Sequence, residues 1–179
     1  MHTPKRPCLT TPRLCLRALT AADEQPLIRL LTHPQVTETY MVPEFAVPQE
    51  AVKLFQRIRQ LSLDENRFVY GIYVQERLIG LINEVGKDEA SVELGYALHP
   101  DDHGKGYATE ALAAAMEELF RMGYLTVKAG AFEENRASLR VMEKCGMIPT
   151  GQTEEITYRG RTHRCVGYEI SREAHKREQ

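Results

Sequence analysis

The chain has no tryptophan, only four cysteines and no apolar run approaching 18 residues. The missing run argues against a membrane-spanning helix. The opening MHTPKRPCLT carries basic residues without the apolar stretch of a signal peptide, so a cytoplasmic protein is expected. Cys8, Cys15, Cys145 and Cys165 are scattered, with no CxxC pair and no Cys/His spacing suited to zinc. They read as reduced thiols, and no metal site is expected. A formal net charge of -2 gives no general attraction to a polyanion. Arg159, Arg161, Arg164, Arg172, Lys176 and Arg177 cluster late in the chain, but such a cluster reads as a solvated face, and no direct nucleic-acid binding is expected.

What remains is an ordinary globular composition, 42% hydrophobic and 27% charged over 179 residues, sufficient to bury a core without cross-links. One domain over residues 1–179 is expected, as a monomer or homodimer, with 1–10 a flexible leader and 172–179 a flexible tail. Leu14 and Leu16 alternate with Arg13, Cys15 and Arg17, a short half-buried strand after Pro12. Thr20 caps a helix over 21–31, with Pro26 an alternative start. His33-Pro34 stops it, and 34–47 reads as irregular chain. Pro48 opens a second helix to about Leu61, with Val52, Phe55, Ile58 and Leu61 recurring on one face.

Strands over 67–74, 78–85 and 91–98 read as an antiparallel meander. After a loop over 100–106, Ala108, Ala111, Leu112, Ala115, Leu119 and Met122 mark the buried stripe of a strong helix ended by Gly123. A strand over 125–132, a helix over 136–145 and two strands, 147–158 and 162–170, joined across Arg159-Gly160-Arg161, complete the chain. The order predicts an α/β fold with a mixed, mostly antiparallel central sheet of about seven strands flanked by four helices.

The segment from Leu94 to Glu110 is the most informative: a strand, a short loop holding Gly104 and Gly106, and a helix N-terminus. N–H groups at a helix start have no intrahelical partners, glycine lets an anion approach the main chain, and the helix dipole adds partial positive charge. A pyrophosphate fits such a cradle over His103, Gly104, Lys105, Gly106, Tyr107, Ala108 and Thr109. A plain tight turn fits the same residues. The segment is not a Walker loop, since no Gly-Lys-Ser/Thr occurs, nor a dinucleotide fingerprint, since the third glycine is missing.

His103-x-x-Gly106-x-Ala108 resembles the acetyl-coenzyme A motif of the GNAT superfamily, Gln/Arg-x-x-Gly-x-Gly/Ala. Histidine replaces the usual Gln or Arg, a mild departure because that family position contributes mainly its backbone amide. Asn135-Arg136-Ala137-Ser138, running on to Lys144-Cys145-Gly146-Met147, resembles the family's Asn-x-x-Ser-x-x-x-x-x-Lys-x-Gly-Phe helix. Thr11-Pro12-Arg13-Leu14-Cys15-Leu16-Arg17, with Leu19-Thr20 and Asp23, is similar to the opening of RimJ/RimL-like members, the ribosomal-protein N-terminal acetyltransferases. The resemblance implies the GNAT acyl-CoA N-acyltransferase fold and acetyl-CoA as donor, with coenzyme A as product. It also implies a pantetheine arm bound like an added strand by backbone groups of Ala97 and Leu98, with Asn135 and Ser138 further contacts.

Alternation along 91–98 sets Val92, Leu94, Tyr96 and Leu98 on one face and Glu93, Gly95 and Ala97 on the other, so Glu93 is displayed among small neighbours. It reads either as the carboxylate that orients or deprotonates an amine, directly or through water, or as a solvent-facing or ion-paired strand residue. An α-amino group, with a reference pKa of roughly 7.7 to 8.0, needs only a modest base. A strand N–H such as that of Leu94 or Tyr96 would hold the developing oxyanion. The departing thiolate needs a donor. Many GNAT enzymes use a tyrosine on the last helix, where Met142 stands here. Ser138, one turn earlier on the same face, is the substitute the resemblance implies. A plain helix-surface serine is the other reading.

Asn135 also suits an N-cap. Lys105, Arg140 and Lys144 are candidates for the ribose phosphate or plain surface cations, and Tyr40, Tyr70, Tyr73 and Phe68 read as core or acceptor-pocket lining. Three functions stand open: acetylation of a protein N-terminal α-amino group; acetylation of a small amine such as an aminoglycoside, polyamine or amino acid; and non-catalytic coenzyme A sensing. The acceptor is dictated by 21–61 and the final hairpin, where the sequence offers no chemistry to read.

Overall fold

A computed structural model describes residues 8–178, which divide into two compact units, 8–83 with 96–111 and 84–95 with 112–178. In the first unit, β1 (Leu9–Thr10), β2 (Cys15–Arg17), β3 (Val69–Val74) and the opening of β4 (Arg77–Lys87) pair antiparallel, with Leu9 opposite Leu16, Leu16 opposite Ile72 and Ile72 opposite Gly80. Val69 to Tyr73 are all buried, the mark of a strand covered on both faces. Three helices, α1 (Glu24–Thr32), α2 (Pro34–Thr37) and α3 (Pro48–Leu63), add their apolar stripes to this unit's core. There Leu27, Leu30 and Leu31 join Phe55, Val69, Leu81 and Ala97.

Asp23 fastens the entry to α1. Its Oδ2 accepts the Thr20 N–H at 2.7 Å and the buried Tyr73 hydroxyl at 2.7 Å. Burial, then the bond to Asp23, pushes the tyrosine hydroxyl far above its ordinary range.

In the second unit, β6 (Thr126–Phe132) runs parallel to β5 (Ser91–Leu98), from Ser91 opposite Thr126 to Leu94 opposite Ala129. A parallel pair requires a crossover, and α4 (Tyr107–Arg121) supplies it. Strand β8 (Arg161–Ser171) pairs antiparallel with β6, and β7 (Ile148–Tyr158) with β8. Arg159 and Gly160 turn that hairpin with φ of 50° and 74°, the handedness a two-residue loop needs to match strand twist. Two further helices, α5 (Arg136–Lys144) and α6 (Arg172–Arg177), follow β6 and β8 in the chain. The strand order is β1-β2-β3-β4-β5-β6-β8-β7.

The expected mixed, mostly antiparallel α/β fold is present, with eight strands and six helices among the described residues in place of about seven and four. The additions are short. β1 falls within the stretch read as leader, whose residues 1–7 lie outside the described residues, and α6 falls within the stretch read as tail. α2 replaces irregular chain because Pro34 suits a first helical position and the His33 Nδ1 accepts the Gln35 N–H at 3.2 Å.

Two side-chain expectations are corrected. Met122 is 48% exposed, since α4 ends at Arg121 and the turn to Gly123, at φ 111°, carries Met122 off the buried stripe. The antiparallel β1–β2 pair brings Cys8 and Cys15 within 6.5 Å between Cα atoms, and their sulfurs are joined in a disulfide rather than left as reduced thiols. No helix among the described residues is long and apolar enough to cross a membrane.

The loop after β5 is held at its base by a buried carboxylate. Asp102, 1% exposed, accepts two hydrogen bonds from Arg77 of β4, at 2.8 and 2.9 Å, with the Lys105 Nζ 3.5 Å away. Those Arg77 bonds hold the Asp102 carboxyl below the usual carboxylate range, against burial, which pushes it up. A depressed folded-state pKa gives stability that is fully present above the ordinary value near 3.8 and is lost as pH falls through the folded value. Thermal melts across that acid window should therefore show a flatter pH dependence for Asp102→Asn, with a lower Tm than wild type at neutral pH. Parallel curves would dissociate Asp102 from acid stability. Gly80 gives a second test, because a Cβ there would overlap the Ala97 carbonyl oxygen and the Leu98 side chain. Gly80→Ala should cost about 1–3 kcal/mol, read as a Tm several degrees lower; an unchanged Tm would show that β5 yields freely.

Candidate active site

Strand β5 delivers the chain to the loop and helix start where the sequence suggests an anion cradle. The His103 ring reaches back so that its Nε2 lies 2.9 Å from the Leu98 carbonyl oxygen, closing the loop across its own base. Histidine in place of Gln or Arg thus has a local task. The Ala97 and Leu98 side chains are buried, while His103, Gly104, Lys105 and Gly106 are exposed and Tyr107, Ala108 and Thr109 half-buried. Gly104 and Gly106 sit at φ 72° and 79°, the left-handed region that a Cβ disfavours. The first bond of α4 runs from the Glu110 N–H to the Gly106 carbonyl at 3.1 Å, which leaves Tyr107 and Ala108 N–H groups without intrahelical acceptors. Open main chain at Gly104, left-handed glycines and an unfilled helix start together fit a pyrophosphate.

Behind the loop stands a network absent from the sequence reading. Glu110 Oε1 accepts the Thr11 hydroxyl at 2.6 Å and the Arg13 N–H at 3.0 Å, and its Oε2 accepts Arg13 Nε at 2.7 Å. Arg13 also donates to the Lys105 carbonyl at 2.7 Å and lies over the Tyr107 ring, 4.7 Å from its centroid. Burial raises the Glu110 pKa, but bonds from Thr11 and Arg13 outweigh it and hold the carboxyl below its ordinary value. The available signal was slight: Thr11 and Arg13 belong to the opening block, and Glu110 to the first helical turn, with nothing to pair them.

The residues expected to act on the acetyl group are set out in the second unit. Glu93 is exposed on β5 and opposite Lys128, its Oε1 3.5 Å from where a Cβ on Gly130 would stand. Among the described residues no side chain hydrogen-bonds or ion-pairs with its carboxylate. The half-buried Cys165 sulfur approaches the same point over Gly130, at 3.3 Å, and its thiol pKa is pushed up by burial and then by Glu93. Asn135 caps α5, accepting the Ser138 N–H at 3.3 Å, and Ser138 is half-buried. Met142 is completely buried, a core residue with no proton to give. His163, also missed, stacks on Phe132 at 4.1 Å and pairs through Nδ1 with Glu134, next to the Asn135 cap. Tyr40 donates to Asn83 at 2.7 Å, and burial pushes its hydroxyl up to about 12. Among the described residues no group of three or more His, Cys, Asp or Glu side chains is arranged to hold a metal.

Comparison with known proteins meets this geometry. Residues 13–148 match the acetyltransferase (GNAT) domain family. The N-acetyltransferase YoaA of Bacillus subtilis (strain 168) is 26% identical over 161 residues, covering 87% of this chain and 91% of its own. RimL, the ribosomal L7/L12 alpha-N-protein acetyltransferase solved with coenzyme A, superposes with a TM-score of 0.83 at 19% identity, over 94% of this chain and 99% of that one. Spermidine N-acetyltransferase from Vibrio cholerae, solved with CoA and spermine, gives 0.77 at 21% identity, over 93% and 99%. The match to the family over most of the chain makes this protein a member of the GNAT family, an N-acetyltransferase that uses acetyl-CoA.

Proposed function

We propose that the acceptor is an α-amino group at a protein N-terminus, of the ribosomal-protein type, attacked directly in a ternary complex. The observation that carries this reading is the opening block from Thr11 to Asp23, with its similarity to RimJ/RimL-like chains, and the superposition on RimL supports it. A small polyamine is the second reading, favoured by the likeness to spermidine N-acetyltransferase over the same span.

Acetyl-CoA supplies the thioester carbonyl. On this reading the main chain over 104–109 takes the pyrophosphate, and backbone groups of Ala97 and Leu98, with Asn135, hold the pantetheine arm. Glu93, carrying no ion-pair partner among the described residues, accepts the amine proton directly or through water. The N–H of Leu94 or Tyr96 faces the carbonyl oxygen as charge develops. Ser138 donates its hydroxyl hydrogen toward the departing sulfur, a task that the Met142 thioether cannot perform.

Gly106→Asp sets a carboxylate beside Arg13 at the start of α4, at a φ that disfavours a Cβ, and should abolish coenzyme A binding in calorimetry; undiminished affinity in a folded variant refutes the placement. Glu93→Gln should lower turnover on the order of a hundredfold near neutral pH and recover partly as rising pH deprotonates the amine, whereas Ser138→Ala should lower it with no such rescue. Near wild-type turnover across the pH range in either variant would return that residue to a structural role. Thiol release against N-terminal peptides and polyamines decides the acceptor: turnover of polyamines alone would overturn the N-terminal reading.

A further inference from the structure

Arg13 makes one contact that bears on the main chain of the cradle itself, and the inference drawn from it rests on the pyrophosphate placement over 104–109. Its Nη1 donates to the Lys105 carbonyl at 2.7 Å, while Nε and Nη2 both engage Glu110 Oε2 at 2.7 Å. Glu110 is in turn held by Thr11 and closes the first turn of α4 onto the Gly106 carbonyl. Peptide bonds among the described residues are trans, and in a trans peptide the carbonyl and the N–H point in opposite directions. With the Lys105 carbonyl bound to Arg13, the Gly106 N–H of the same peptide is directed away from the arginine.

Left-handed glycines next to that peptide, Gly104 at φ 72° and Gly106 at 79°, make the segment easy to reorient. If the plane turned over, the cradle would present a carbonyl oxygen where a phosphate needs a donor. We infer that Arg13 is a positioning residue for coenzyme binding: it locks the Lys105–Gly106 peptide in the orientation that offers the Gly106 N–H to the pyrophosphate, with Glu110 and Thr11 aiming the guanidinium. The contacts that Nε, Nη1 and Nη2 make run to Glu110 and to the Lys105 carbonyl, so the role assigned to Arg13 acts through the loop.

Pantetheine, which lacks the pyrophosphate, separates this role from general stability. Calorimetry with coenzyme A and with pantetheine should show Arg13→Ala weakening the first roughly ten- to a hundredfold and leaving the second unchanged. KM for acetyl-CoA should rise by the same factor at constant kcat. Arg13→Lys should recover part of the coenzyme affinity, because one ammonium can reach the carbonyl or the carboxylate but does not span both as the guanidinium fork does. The shift of the ¹⁵N-labelled Gly106 amide on adding coenzyme A should be present in wild type and lost in Arg13→Ala. Equal weakening of both ligands would make Arg13 merely structural and overturn the inference. If wild type prefers coenzyme A and Arg13→Ala keeps the whole preference, the inference alone fails; if wild type binds the two ligands alike, the pyrophosphate placement fails and takes the inference with it. Should Arg13→Ala not fold, the same ratio measured on Arg13→Lys carries the test, and an undiminished preference there overturns it.

Discussion

Two arginine–carboxylate pairs, Arg77 with Asp102 and Arg13 with Glu110, fasten the two ends of the loop between β5 and α4. A cradle made of backbone N–H groups works only while those groups neither find partners of their own nor turn away, and left-handed glycines make the segment permissive rather than rigid. Rigidity is supplied from outside it. Arg77 anchors Asp102 just ahead of the glycines, and Arg13 anchors Glu110 just after them while also taking the Lys105 carbonyl. The Asp102 side chain is 1% exposed and both its oxygens accept from Arg77, so the pair ties the loop to β4.

The same economy governs the side chains near the proposed chemistry. An α-amine titrates close to neutrality, so the base proposed at Glu93 need be no more than an exposed carboxylate. The competing nucleophiles are quiet. Burial pushes the Cys145 thiol up to about 12 and also raises Cys165, so both remain protonated where a thiolate would attack a thioester. Met142, fully buried in α5, contributes packing in place of a proton. The cap at Asn135 fixes the start of that helix and therefore the position of Ser138, whose N–H it accepts.

Secondary structure was largely legible because its signals are local. The existence of β5, the stripe of Ala111, Leu112, Ala115 and Leu119 in α4, the cap at Asn135 and the turn at Arg159-Gly160 each depend on neighbours a few residues away, although β5 buries Ser91 and Ala97 as well as the expected face. The pieces misjudged were short or terminal. α2 owes its existence to a single proline and a histidine cap, and Met122 lies one residue past the end of its helix, where the periodic pattern no longer describes the backbone.

The sequence by itself therefore determined the longer elements and their order, the glycines of the loop before α4 and the residue types available for acid–base work. Only the tertiary structure decided which charges meet. Arg13 and Glu110 stand 97 residues apart, Tyr73 and Asp23 50, Arg77 and Asp102 25. Nothing in the local pattern of a charged residue names its partner, because hydrogen-bond geometry is satisfied through space once strands and helices have packed. A surface cation and a loop anchor therefore look alike until the chain is folded.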